Sequence, residues 1–104
     1  MVRLSVMYPP KAGAPFHWDY YLNTHLKLAH QLLDPRGLIK IEIDRGVGSF
    51  PPGVPAPYDA IGHLFFPSLE VMISALQDTA PQLIGDVPNY CGAESVVQIS
   101  EVVG

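Results

Sequence analysis

His25 falls inside an apolar stripe, one helical turn from both Tyr21 and Ala29, and it is the first residue with chemistry to offer. A histidine titrates at about 6.5 in its reference state, so it can take up or return a proton at neutral pH. A tyrosine hydroxyl can donate to the oxyanion or enolate that forms as a proton leaves. His25, Tyr20 and Tyr90 are therefore the candidate catalytic residues, and Tyr8, Tyr21, His63 and Trp18 the candidate substrate-binding ones. Imidazole and phenol together in a small apolar pocket suit cofactor-free isomerisation or cyclisation of a small apolar or phenolic compound. Plainer roles compete. An unpaired buried polar group costs about 1–3 kcal/mol, so His25 bonded to a carbonyl or hydroxyl fits equally well. Tyr21 at helical spacing and Tyr8 at the end of an apolar strand face both suit simple packing. His63 meets His25 if it faces the helices, or serves an interface between copies if it faces the other way.

Other chemistries lack their residues. Gly46-Val47-Gly48 and Gly85 make no G-x-G-x-x-G or Walker loop, so nucleotide, nicotinamide and flavin binding find no support. No G-x-S-x-G elbow occurs. Cys91 is the single cysteine, with no partner for a disulfide and no local motif for a nucleophile. A metal would need His25 and His63 to converge with a carboxylate, and no third ligand is evident. No cofactor and no metal are expected. The net charge of −4, with six scattered Lys and Arg, argues against a nucleic-acid partner. At 48% hydrophobic residues the chain still holds no run near the ~20 that a membrane span needs. No signal-peptide pattern opens it, so a cytoplasmic protein without a membrane partner is expected.

The elements that must position these residues follow from periodicity. Val2, Leu4, Val6 and Tyr8 alternate with Arg3, Ser5 and Met7, the period of a half-buried strand. Pro9, Pro10, Gly13 and Pro15 make a stiff loop. Residues 16–33 repeat apolar positions at three and four and predict a long first helix, with His17 as a weak N-cap. Ile39, Ile41 and Ile43 alternate in a second strand that can reach Val47. Gly48 to Pro57 holds four prolines and two glycines and predicts a long irregular loop. Residues 58–66 predict a third strand that is apolar on both faces, hence central. Ser68 caps a second helix with a stripe of Leu69, Met72, Ile73, Leu76 and Ala80; Pro81 is expected to kink or restart it before Gly85. Residues 86–92 read as a turn-rich connection, and 95–103 as a fourth strand.

The order β-α-β-β-α-β in one domain, residues 1–104, predicts a ferredoxin-like α+β plait: a four-stranded antiparallel sheet with both helices on one face. Its open face would bare Ile, Val or Phe, and only 15% of residues are charged. Both argue for a homodimer that pairs two open faces into a dimeric α/β barrel.

Asp19-Tyr20-Tyr21-Leu22-Asn23-Thr24-His25 resembles the first-helix signature of the EthD family, proteins associated with bacterial ethyl tert-butyl ether degradation. Pro57-Tyr58 with Ala60-Ile61-x-His63-Leu64, then Pro88-Asn89-Tyr90, then residues 97–102 match in the same order. The resemblance covers nearly the whole chain and departs at His17, where Asp or Asn is the more usual cap. It implies a dimeric α/β barrel. The wider group includes cofactor-free monooxygenases, isomerases, polyketide cyclases and some haem proteins, many with a pocket between sheet and helices. It also implies a setting beside a cytochrome P450 ether-cleaving system and a reductase label, which these residues do not support. The small-molecule ligand it implies has two uses: turnover, or binding without chemistry.

Overall fold

The computed structural model describes all 104 residues. Four strands, β1 (Val2–Tyr8), β2 (Lys40–Arg45), β3 (Ala60–Phe66) and β4 (Val96–Glu101), form one antiparallel sheet in the order β2-β3-β1-β4. The expected plait is therefore present, with β1 and β3 central. Residues 18–33 form the first helix, α1, in three consecutive segments: Trp18–Tyr20, a π-helical Tyr21–His25, and Leu26–Leu33. The second helix, α2, spans Leu69–Asp86, and a short 3-10 turn, Val87–Asn89, follows it. Neither helix is long and apolar enough to cross a membrane.

The β1 register shows which strand faces meet the helices. Leu4 pairs with Leu64 and Ile99, Val6 with Gly62 and Val97, and Tyr8 with Ala60. Leu4, Tyr8 and Ala60 are buried beneath the helices on this face, while Val97 and Ile99 on the edge strand β4 stay exposed. Leu4, Leu33, Phe66 and Met72 are buried together with Ala29 and Ala75 in the core. A fully buried Leu, Phe or Met contributes about 1.5–3 kcal/mol through the area it removes from water. At the end of α1, Gly37 closes the chain at φ +97°, where a side chain would be strained and would meet Val71 Cγ1.

The opposite, open face is mixed: Ile61 and the exposed Val96 stand on it as expected, with charge on one edge. Ile41 and Ile43 pair with Leu64 and Gly62 on the helix side, so Lys40, Glu42 and Asp44 point outward on the edge strand β2. Towards the centre the open face carries Met7, Ile61 and Phe65. Phe65 is only 4% exposed, because the Lys40 ammonium lies 4.7 Å from its ring centroid and the Arg3 guanidinium 6.0 Å.

The second helix departs from expectation in one respect that matters for the site. It runs through Pro81 and Gly85 to Asp86. The carbonyl that Pro81 leaves unpaired belongs to Gln77, and both residues are exposed, so water can solvate it. Ser68 caps the start as expected, its hydroxyl accepting from the Val71 N–H.

Candidate functional site

The start of α1 is tied to the residue that will matter most at its far side. His17 offers no side-chain cap; its backbone N–H donates instead to the Tyr90 carbonyl at 2.9 Å. One turn on, the helix widens. The Leu26 N–H bonds the Tyr21 carbonyl, five residues back, which makes Tyr21–His25 a π turn. The wider turn keeps Tyr21 and His25 on the same inward face with their rings stacked, centroids 5.6 Å apart and planes 15° from parallel.

That face borders a cavity of about 310 Å³ between the sheet and the helices, open to solvent beside Ile84, Val97 and Ile99. Its walls are apolar: Leu4, Val6, Ile41, Leu64, Leu76, Leu83 and Ile99 among others, from every strand and both helices. Its polar lining comes from His25, Tyr8, Tyr21 and Ser95. A space of this size and character fits a compact apolar compound with one or two polar groups.

Behind the lining lies a chain of side-chain hydrogen bonds. His25 Nδ1 is 2.9 Å from Asp86 Oδ2, and a carboxylate only accepts, so Nδ1 carries the hydrogen. The Tyr90 hydroxyl donates to His25 Nε2 at 3.2 Å, and the Tyr8 hydroxyl to the Tyr90 oxygen at 2.8 Å. Tyr20 donates to Asp86 Oδ1 at 2.6 Å, and the Asn89 amide to the same oxygen at 2.9 Å. Burial alone would raise the Asp86 carboxyl, but the hydrogen bonds from Tyr20, His25 and Asn89 outweigh it and hold it below its ordinary value. Asp86 is therefore ionised at neutral pH. Burial pushes Tyr8, Tyr21 and Tyr90 upward, so all three are neutral phenols there.

An EthD domain model matches residues 10–93. The chain belongs to the EthD family. Among solved structures it is similar to an EthD-like protein from Ralstonia eutropha, with 28% identity and a TM-score of 0.89 over 99% of this chain and 92% of that one. An EthD family protein from Bacillus halodurans, at 21% identity, shares the fold with a TM-score of 0.78 over 99% of both chains. An antibiotic biosynthesis monooxygenase shares it at 9% identity and a TM-score of 0.52, each chain covered in full. Comparison with curated proteins gives no match.

Within this EthD domain, the sequence candidates separate into three places. His25, Tyr8 and Tyr21 line the cavity; Tyr90 stands behind them, fully buried, and touches His25. Tyr20 does not reach the cavity and instead holds Asp86 from outside. Trp18 packs on Phe16 beneath the Arg45 guanidinium, 4.4 Å from its ring, and does not line the cavity either. His63 is a correction. It pairs with Ser5 on the open face, where its ring bonds Ser5 Oγ and Asp44 at 2.9 Å each. The sheet stands between it and His25, so the two histidines share neither a substrate nor an ion.

Sequence reasoning missed Asp86 by placing it in a turn. Its signal is position: three residues beyond Leu83 on the apolar stripe of α2, where an acid needs a partner. It also passed over Gly62. A Cβ there would lie 2.7 Å from the Tyr21 hydroxyl oxygen, and that ring is 2% exposed and packed among other rings, so it must shift to make room. Gly62→Ala is expected to lower stability by about 1–3 kcal/mol, measured by urea unfolding, through displacement of Tyr21.

Proposed function

We propose that this EthD protein is a cofactor-independent acid–base enzyme, of isomerase, cyclase or monooxygenase type, acting on a small apolar or phenolic compound bound in the 310 Å³ cavity. One observation carries the reading: the cavity histidine is paired at Nδ1 with an ionised carboxylate. Asp86 fixes the tautomer that leaves Nε2 basic and stabilises the imidazolium that follows proton uptake. The apolar walls strengthen each electrostatic contact with a developing oxyanion. The family resemblance suggests a catabolic setting, of ethers or other xenobiotics, for the compound.

The test is deuterium uptake next to the carbonyl of 4-hydroxyphenylacetone in deuterated buffer. Wild type accelerates the exchange, and His25→Ala loses about 10²- to 10⁴-fold of that acceleration while its melting temperature and native mass are kept. Equal rates for the two proteins would overturn the role of His25.

One observation favours a second reading, a binding protein without turnover accessory to a P450 pathway. Both His25 nitrogens already have hydrogen-bond partners, as in a purely structural histidine. Saturable binding of small phenols with no exchange or product would establish it.

The proposal takes the working unit to be a homodimer joined through the open sheet face. Its support is the distribution of side chains there: Met7, Ile61 and Phe65 on the central strands, with the charges of Lys40, Glu42 and Asp44 on the edge strand as a rim. Light scattering at twice the chain mass is expected, and a monomer mass would remove the dimer.

A further inference from the structure

The hydrogen-bond chain around His25 has a direction, and its cavity end is not the histidine. His25 borders the cavity, but each ring nitrogen is held, Nδ1 by Asp86 and Nε2 by Tyr90. Tyr90 is 0% exposed and does not line the cavity, yet its hydroxyl meets that of Tyr8, which does. We propose that Asp86, His25, Tyr90 and Tyr8 form a proton relay that opens into the cavity at the Tyr8 hydroxyl, so the compound meets the histidine's proton through Tyr8. This deepens and rests on the acid–base reading above. It makes Tyr8 the catalytic residue that touches the compound, and Asp86 a positioning residue. It also narrows the ligand to compounds with an acidic oxygen or an oxygen that becomes one: a phenol, an enol or an enolisable carbonyl.

The relay balances step by step. With His25 neutral, Tyr8 donates to Tyr90 and Tyr90 to Nε2, so the oxygen of cavity-lining Tyr8, beside the Tyr21 hydroxyl, keeps a lone pair that can accept. When the compound's O–H proton passes to the Tyr8 oxygen, the Tyr8 proton passes to Tyr90 and the Tyr90 proton to Nε2. The compound is left as an oxyanion and His25 as an imidazolium beside Asp86. Both tyrosines end neutral, and Tyr8 now donates to the oxyanion it has just produced. Reversal returns the proton. No phenolate forms along the way, in keeping with burial, which disfavours ionised Tyr8 and Tyr90. The groups packed on the His25 ring are Tyr21 from its own helix, Asp86 from α2 and Tyr90 from the following connection. Asp86 is the charged one among them, so it sets the relay's polarity.

Two shape-preserving variants test this, with 4-nitrophenol as the probe and nitrogen-15 shifts of the imidazole as the second readout. Wild type is expected to show the Nδ1–H tautomer. In Asp86→Asn the amide oxygen keeps the Tyr20 and Asn89 donors, which turns the amide N–H towards Nδ1 and drives His25 to the Nε2–H tautomer. Tyr8→Phe keeps the ring and is expected to weaken 4-nitrophenol about three- to tenfold, the value of one hydrogen bond, with the His25 tautomer unmoved. An unchanged tautomer in Asp86→Asn would remove Asp86 from control of the relay. Wild-type affinity in Tyr8→Phe together with weakened binding in His25→Ala would overturn the relay and leave the acid–base reading standing. Wild-type affinity in both variants would overturn both.

Discussion

Tyr90→Ala is expected to unfold at a free energy about 3–5 kcal/mol below wild type, measured as a drop in the urea midpoint at constant slope. Tyr90 is fully buried and lies within contact distance of several rings, with centroids 4.6 Å away at His25, 4.9 Å at Tyr21, 5.4 Å at Tyr8 and 5.5 Å at Phe16. Truncation removes the ring's burial and its edge-to-face contacts together, and the neighbours are too rigid to fill the space. It also strips the partners of two polar atoms, the Tyr8 hydroxyl and His25 Nε2. Tyr90→Phe separates the two effects: it keeps the ring and is expected to cost about 1–3 kcal/mol, the penalty for leaving buried polar groups unpaired. A loss below about 1 kcal/mol in the alanine variant would mean that the aromatic cluster is not packed as described.

The second large effect is alkaline. Tyr8, Tyr21 and Tyr90 all have pKa values above the ordinary 10.0, in each case first through burial. Above pH 10 the unfolded chain therefore releases three phenolic protons that the folded chain retains. The unfolded state binds fewer protons there, so stability falls as pH rises. The contribution is fully present below pH 10 and is lost progressively towards the raised folded values. Each group costs about 1.4 kcal/mol per pH unit while only its unfolded form has lost the proton, so Tyr21 and Tyr90, with the large shifts, together cost about 3 kcal/mol per unit, and Tyr8 adds to this just above pH 10. Denaturant titrations from pH 9 to 12 would show it. Tyr21→Phe, which keeps the ring, should flatten the decline by about one third to one half, and a flat profile in wild type would contradict the burial of these phenols.

Most of the fold was legible because its signals are periodic. Val2 to Tyr8 alternates and is β1 to the residue; the two-sided apolarity of residues 58–66 correctly implied a central strand. His25 at four residues from Tyr21 and from Ala29 placed all three on the inward stripe. What escaped was anything decided by a single backbone departure. The π turn at Tyr21–His25 has no residue signature in the chain, because its hydrogen-bond shift depends on what the helix packs against. Pro81 and Gly85 are strong local stop signals, yet α2 continues past both, since its buried stripe outweighs their cost. That continuation carries Asp86 to His25, so misjudging the helix end hid the carboxylate of the site. The face of His63 was undecidable without the register, because its strand is apolar on both sides.

Cys91 lies in the aromatic cluster beside Tyr8, Tyr21 and Tyr90, and it is 6% exposed. A thiol reagent can reach it only when that cluster opens, and no other cysteine in the chain competes for label. The chain thus carries its own clock for breathing of the pocket. The ratio of its labelling rate to that of the unfolded chain gives the free energy of local opening, without any introduced probe. A ligand seated in the cavity should slow that clock in proportion to its occupancy.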